Sequence, residues 1–144
     1  EADGFATYWA PQIFGHDALT ALAVVAREVP RIGLGTSVVP TYPRHPMALA
    51  QQCLTVNAVA DGRLTLGIGL SHQVVIENMM GMSYAKPIGH IRDYLSILGP
   101  LSRGVTAANA VIMLHCFAGS IGQALAAARR KQRGFVDKVF QIGA

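Results

Sequence analysis

The sequence predicts an α/β fold with a parallel sheet, and two observations carry this prediction. Strand-like and helix-like segments alternate along residues 5–101, and successive strands start about 25–30 residues apart, which is the length of a βα repeat. The runs RIGLGTSVV (31–39) and RLTLGIGL (63–70) carry apolar residues at both odd and even positions. Strands of parallel sheets show this pattern because other elements cover both of their faces.

Local signals define the first strand and the first helix. Residues 5–9, FATYW, have the aromatic and β-branched composition of a short strand, and Pro11 stops it. Asp17 is suited to cap a helix over Ala18–Val29, because its carboxylate can accept a backbone N–H of the first turn. Pro30 then ends this helix.

The second strand is interrupted. In residues 31–46, RIGLGTSVVPTYPRHP, an apolar run breaks into Gly35, Thr36 and Ser37, resumes at Val38, and then meets three prolines. Proline has no backbone N–H to donate, so the strand cannot continue through them. Small residues leave the carboxyl end of the strand open, and in parallel α/β folds ligands bind at that end.

The remaining elements follow in order. A second helix begins near Pro46 and closes at Gly62, which is suited to a left-handed cap. The strand 63–70, an irregular segment 71–88 and a third helix over about 89–101 come next. The residues expected on the buried stripe of the second helix are Met47, Ala50, Leu54 and Ala58.

Composition excludes several classes of function. The net charge of +4 lies wholly in residues 105–144, whereas residues 1–104 carry seven basic and seven acidic side chains, so no nucleic-acid partner is expected. Polar residues and two glycines interrupt the apolar run 111–128, which argues against a membrane helix. Two cysteines, Cys53 and Cys116, and no secretory signal predict a cytoplasmic protein with reduced thiols.

Metal and hydrolase chemistry are also disfavoured. The five histidines and two cysteines show no H-x-x-x-H or C-x-x-C spacing, so no metal site is expected. The sequence contains no G-x-S-x-G elbow of an acyl hydrolase. Residues 33–35 and 67–69 could each open a dinucleotide-binding turn, but its third glycine is replaced by Val38 and His72, respectively. A barrel segment therefore fits better than a doubly wound dinucleotide-binding sheet.

Residues 33–72, GLGTSVVPTYPRHPMALAQQCLTVNAVADGRLTLGIGLSH, resemble the luciferase-like monooxygenase family. They are most similar to its branch of oxidoreductases that use the deazaflavin coenzyme F420. The shared pattern is GT-x-V-x-P, a spaced R-x-P, an alanine-rich helix and DGR-x-x-LGIG, and the similarity extends from Asp3 to about Gly104. The resemblance implies part of a TIM (β/α)8 barrel, truncated in this chain, over residues 1–104, with an unmatched tail over 105–144.

The resemblance also implies a site. The ring of F420, or alternatively of FMN, would lie at the carboxyl ends of the strands, backed by a cis peptide bond between Ser37 and Val38. The residues that match cofactor-binding positions of the family are Ser37, Val38, Gly69, Leu70 and Ser71.

Two further residues have alternative interpretations. His72 matches a position at which some members carry Glu, and histidine suits proton transfer near neutrality, so it is a candidate general acid or base. It could equally be a loop residue at a strand end. Trp9 could wall the ring or the substrate, or could be a packed core aromatic. The Asp-His pair found after this strand in some members is replaced by Ala10-Pro11.

The resemblance thus implies an oxidoreductase with a small-molecule substrate, acting by hydride transfer or monooxygenation with a deazaflavin or flavin cofactor. The alternative is an inactive or partner-dependent barrel fragment, whose partner would be a second copy of the chain or a missing barrel half. In either case the similar design of the two strands predicts that Ser37 and Val38 lie beside residues 69–72. His72 is then expected to be the only titratable group at the rim of this cleft.

Overall fold

The computed structural model describes residues 2–102, so the expectations for residues 105–144 lie outside the described residues. The described part alternates strands and helices, as the sequence predicts. Its elements in chain order are β1 (Thr7–Ala10), α1 (Ala18–Glu28), β2 (Gly33–Thr36), β3 (Val39–Pro40), α2 (Pro46–Val59), β4 (Leu64–Thr65), β5 (Ile68–Gly69), a π-helical turn (Val75–Met79) and α3 (Pro87–Ser102).

All strand pairs are parallel, which confirms the α/β prediction. One ladder has the order β1-β2-β4, and a second ladder joins β3 to β5. In the first ladder Leu34 of β2 lies opposite Leu64 of β4, and in the second Val39 lies opposite Ile68. The truncated barrel itself stays a prediction, because the described residues form two short ladders rather than a closed ring.

Each of the two long strands expected from the sequence is divided into two short ones. The run 31–39 becomes β2 and β3, separated by Ser37 and Val38, and the run 63–70 becomes β4 and β5, separated by Leu66 and Gly67. The two interruptions occur at matching places, so a single ladder gives way to a second one partway along both strands.

Helix α1 begins as its capping signal predicts. Asp17 is the N-cap, and its carboxylate accepts the backbone N–H of Thr20 at 2.7 Å. Leu19, Leu22 and Ala26 form its buried stripe. The guanidinium of Arg63 fastens the other end of this helix.

Arg63 holds the segment where α1 ends and β2 begins. Its Nη2 donates to the carbonyl of Ala26 at 3.0 Å, and its Nη1 donates to the carbonyls of Val29 at 2.9 Å and Ile32 at 2.7 Å. One side chain thereby satisfies three carbonyls that have no helical partner.

Helix α2 buries a different face from the one expected. Met47 is exposed and so is Ala58, whereas Ala50 is the one member of the predicted stripe that is buried. Apolar residues surround most of this helix, so periodicity does not select a face, and packing against α1 and α3 decides it. The buried residues are Pro46, Leu49, Ala50, Cys53, Val56 and Asn57.

The ends of α2 and the segment after β5 add detail to the prediction. His45 caps α2, since its Nδ1 accepts the N–H of Met47 at 3.2 Å, and Gly62 has a φ of +77° beyond the helix end. The segment expected to be irregular contains a π-helical turn, and α3 begins two residues earlier than expected, at Pro87. Within residues 2–102, no helix combines the length and apolar character needed to cross a bilayer.

Candidate functional site

The carboxyl ends of β3 and β5 lie side by side. Val39 donates its N–H to the carbonyl of Gly67 at 2.8 Å, and Thr41 donates its N–H to the carbonyl of Gly69 at 2.9 Å. The two strands are adjacent and parallel, as the sequence predicts, but Val39 is opposite Ile68 and Pro40 is opposite Gly69, so Ser37 and Val38 lie before the level of residues 69–72. Because both strands run in the same direction, the loops that follow them emerge at the same edge of the sheet.

The peptide bond between Ser37 and Val38 is cis, as the resemblance implies. Ser37 is exposed and Val38 is half-buried. The N–H of Ser37 donates to the carbonyl of Ala10 at 2.9 Å, whereas the N–H of Val39 donates to the carbonyl of Gly67. The backbone between β2 and β3 is thus tied to β1 on one side and to Gly67 on the other. It presents a small polar side chain at the surface.

The second strand end combines buried and exposed residues. Gly69 and Leu70 are buried, with the Leu70 side chain in the hydrophobic core, so a ligand at this point would meet backbone. Ser71 is half-buried, has a φ of +63°, and accepts a hydrogen bond from the hydroxyl of Tyr84 on its carbonyl at 3.2 Å. This left-handed residue turns the chain out of β5.

His72 lies in the exposed turn that follows. Its carbonyl accepts the N–H groups of Val75 and Ile76, both at 3.0 Å, and so starts the π-helical turn. Ile76 is fully buried and anchors this turn to the protein. These hydrogen bonds fix the backbone of His72, and the residue is exposed next to the strand end.

Trp9 packs over Gly35. The two residues lie opposite each other in the β1–β2 ladder, and a Cβ added to Gly35 would overlap the six-membered ring of Trp9. Leu34 is fully buried beneath α1, so Gly35 and Trp9 belong to the opposite face of the strands. Trp9 remains 38% exposed there. It is therefore both packed against a strand and available as a wall.

An ion pair joins two loops at the same edge of the sheet. Arg44, in the β3–α2 loop, contacts the carboxylate of Asp17 at the start of α1 and donates to Oε1 of Gln52 at 2.7 Å. Burial alone would raise the pKa of Asp17, but the hydrogen bonds from Arg44 and Thr20 outweigh it and lower that pKa. Arg44 and Asp17 are thus further titratable residues in the loops at this edge, while the position of His72 at the rim of the cleft stays a prediction.

Tyr42, which follows β3, belongs to a group of neighbouring rings that the sequence did not suggest and that also contains Tyr84, His90 and Tyr94. The rings of Tyr42 and His90 are nearly parallel, at 9°, with centroids 4.0 Å apart, and Tyr84 stacks on Tyr42 at 5.2 Å. Nε2 of His90 is 3.0 Å from the hydroxyl of the fully buried Thr41. We call these four residues the aromatic group.

Burial shifts the titration of the aromatic group toward neutral forms. It lowers the pKa of His90, against the opposing effect of the Asp93 carboxylate, and raises the pKa of Tyr94 to about 12. The pKa of Tyr42 is also raised, by burial and by the neighbouring Tyr84 and Glu77. No local pattern of the sequence could have indicated this group, since its members come from three separate segments.

Among residues 2–102, no group of three or more His, Cys, Asp or Glu side chains is placed to hold a metal ion. Cys53 is a buried free thiol, and burial raises its pKa to about 12 despite the opposing effect of Arg44.

Comparisons with known proteins agree on one family. The sequence profile described as luciferase-like monooxygenase matches residues 1–114. The chain is 37% identical over 98 residues to a putative coenzyme F420-dependent oxidoreductase of Mycobacterium tuberculosis, which covers 68% of this chain and 28% of that protein. It is 29% identical over 105 residues to the 5,10-methylenetetrahydromethanopterin reductase of Archaeoglobus fulgidus, covering 72% of this chain and 31% of the reductase.

A solved structure shares the fold. The crystal structure of a monooxygenase from Streptomyces bottropensis aligns with a TM-score of 0.72 at 19% identity, over 88% of this chain and 47% of that chain. The chain thus spans about half of that structure and less than a third of the two relatives.

Proposed function

The chain belongs to the luciferase-like monooxygenase family, and from that premise we propose that it forms part of an oxidoreductase that binds coenzyme F420. The observation that carries this proposal is the parallel pairing of β3 with β5, which brings the segment 37–40 and the carboxyl end of β5 to one edge of the sheet, near a partly exposed Trp9. FMN is the alternative cofactor. A cytoplasmic location, expected from the cysteine content, is part of the same proposal.

The residues present fit a planar ring. Both strand ends carry small side chains, so backbone rather than bulky groups forms the surface between them. Gly35 carries no side chain that could displace Trp9 from the open face of the strands, and the exposed part of the indole offers a flat apolar wall. A ring that is flat and partly apolar is complementary to such a surface.

Each residue then has a defined task. Ser37, Val38, Gly69, Leu70 and Ser71 would hold the ring mainly through backbone atoms. Trp9 would limit the space beside it. An imidazole nitrogen of His72, at the exposed end of β5, would hold or deliver a proton at the substrate.

The bound cofactor would supply the hydride chemistry, or with FMN the monooxygenation, that no side chain of this protein can provide. The protein contributes position: a small organic substrate would bind beside the ring, between Trp9 and the loop that starts at His72. The π-helical turn holds that loop through the buried Ile76.

Ligand titration tests this proposal. Trp9 is the single tryptophan of the chain, so its emission reports on the cleft directly. We expect F420 to quench this emission and the absorbance of F420 to shift, with FMN competing more weakly. Unchanged emission and unchanged absorbance with both cofactors, at high concentrations of a cooperatively folded chain, would remove the cofactor site.

A substitution at Ser37 locates the site. Because Ser37 is exposed on the backbone between β2 and β3, Ser37→Phe should leave the fold intact and occupy the space of the ring. We expect binding of F420 to fall at least about tenfold, which corresponds to about 1.4 kcal/mol. Ser96→Phe, on the exposed side of α3, is the matched control and should bind like the parent chain.

A second candidate function is a barrel segment that needs a partner. The chain spans 28% of its F420-dependent relative, and within residues 2–102 strand β1 pairs with a neighbour on one side only. The partner would be a second copy or a separate barrel half. A chain that binds F420 as a monomer, as judged by sedimentation, would contradict this candidate.

A further inference from the structure

Two buried threonines border the backbone segment 37–40. Thr36 and Thr41 each have a side chain with no exposed surface, and in the described residues Asn57 is the one other buried polar residue. A buried hydroxyl is costly unless it is hydrogen-bonded, so both positions demand a partner. Each of them has one.

Thr36 replaces a ladder contact at the point where β2 ends. Its hydroxyl donates to the carbonyl of Gly67 at 2.8 Å and accepts the N–H of Gly67 at 2.9 Å. The approach is so close that a Cβ added to Gly67 would overlap the carbonyl oxygen of Thr36. The side chain of Thr36 thus satisfies both backbone groups of Gly67 between the two ladders.

Thr41 fastens the other end of the segment. Its N–H reaches the carbonyl of Gly69, and its hydroxyl is paired with Nε2 of His90 on α3. Stacking of His90 on Tyr42 holds the imidazole in place. The segment between the threonines contains the exposed Ser37, the half-buried Val38 and the fully buried Val39.

We propose that Thr36 and Thr41 are positioning residues that hold the segment 37–40 against β5 and so set the backbone on which the cofactor ring rests. This inference rests on the proposed function for its ligand. The hydrogen bonds of Thr36 and Thr41, which we call the clamp, lie within the chain itself. Neither threonine touches the ring; each acts through the backbone that it holds.

Paired substitutions in the full chain distinguish the effect of the threonine hydroxyl from the effect of side-chain packing. Thr36→Val keeps the shape and removes the hydrogen bonds, whereas Thr36→Ser keeps the hydroxyl. Thr41→Val and Thr41→Ser form the second pair. Thr55→Val is the control, because the exposed Thr55 hydroxyl donates to the carbonyl of Gln51 within α2.

Two measurements are made on each variant. The first is amide hydrogen exchange at Val39, Thr41 and Gly67, whose N–H groups belong to the clamp. The second is the dissociation constant for F420, followed by Trp9 emission. We expect each valine variant to exchange these amides faster and to bind about tenfold more weakly, because a buried hydrogen bond is lost. The serine variants should stay within about threefold of the parent.

The outcomes are distinct. If the parent chain binds neither F420 nor FMN, the proposed function fails, while the exchange rates still decide the clamp: faster exchange with valine than with serine supports it. Equal exchange in the two variants overturns the clamp. Faster exchange with unchanged affinity for F420 overturns the positioning role. Should Thr36→Val fail to fold, the Thr41 pair decides both questions.

Discussion

The two halves of the central strand pair are built in different ways. In the amino-terminal half, β2 and β4 form an ordinary parallel ladder whose leucines, Leu34 and Leu64, are buried beneath the helices. In the carboxyl-terminal half, β3 and β5 also pair over two positions, and a threonine hydroxyl fills the gap before them. Both halves bury apolar residues, Val39 and Ile68 included, but the second half begins at a junction that depends on individual polar groups.

This difference teaches where the chain accepts irregular structure. An apolar ladder is held by many equivalent contacts, so no single atom decides it. The junction at Thr36 and Gly67 has no such redundancy, because each partner is matched to one position of the other. Departures from regular structure of this kind concentrate at functional sites, and here the junction lies directly before the proposed cofactor surface.

The strongest way to break the second half is Gly67→Ala. The added Cβ would overlap the carbonyl oxygen of Thr36, a backbone atom that no rotamer change can move. We expect the free energy of unfolding in urea to fall by about 3 kcal/mol or more, at the upper end of the cost of overpacking. Gly99→Ala is the matched control, since its Cβ would meet nothing within 4 Å. Equal losses in the two variants would contradict this interpretation of the junction.

A smaller effect is expected from Gly35→Ala. Its Cβ would overlap the ring of Trp9, which is a side chain at the open face and can move aside. The cost should be about 1–2 kcal/mol, less than at Gly67, because part of the strain is relieved by this movement. The emission of Trp9 should shift toward that of a fully exposed indole. An unshifted spectrum would show that the ring does not rest on Gly35.

The amino-terminal half should tolerate change better. Leu34→Val removes one methylene from a fully buried position and should lower the free energy of unfolding by about 1 kcal/mol. Valine suits a strand, so the ladder should persist and F420 affinity should stay near that of the parent. A loss of F420 affinity as large as the loss of about tenfold expected for Thr36→Val would show that the two halves are not independent.

The smallest effect concerns His90. Burial lowers the pKa of His90, so the unfolded chain takes up its proton more readily than the folded chain. The contribution of neutral His90 is therefore fully present above about pH 6.5 and is lost as the pH falls through the lower folded pKa. Among its neighbours, Asp93 opposes this shift, while Tyr42, Tyr94 and Thr41 are uncharged in this range.

Unfolding measured at about pH 7.5 and about pH 5.5 checks this sign. The stability difference between the parent and His90→Gln should be larger at the higher pH and should shrink at the lower one. A difference that grows as the pH falls would mean that protonated His90 is favoured in the folded chain.

Features specified by neighbouring residues were predictable from the sequence. Asp17 caps α1, Gly62 has a positive φ, and the second strand is interrupted where its small residues suggested. The expected parallel pairing of the two strands is confirmed, but the register places Ser37 and Val38 before the level of residues 69–72. The roles of His72 and of the proposed cofactor-binding residues stay predictions.

Features specified by distant residues were not predictable. Thr36 meets Gly67 across 31 positions and Thr41 meets His90 across 49, so no local pattern indicates either contact. The prediction of the buried face of α2 was wrong, because apolar residues surround that helix. One usable signal was overlooked: Gly67 within an apolar strand indicates that another backbone approaches closely.

The packing of Trp9 over Gly35 has a further consequence for how this cleft can diverge. The two residues share one volume, in which one position holds an indole and the other a hydrogen atom. That volume could be divided differently, with a smaller residue at position 9 and a branched residue at position 35, while the ladder keeps its register. Such an exchange would move the wall of the cleft from one strand to the next. Evolution, or a designer, can thus reshape the space for a substrate by a compensated pair of substitutions at positions 9 and 35.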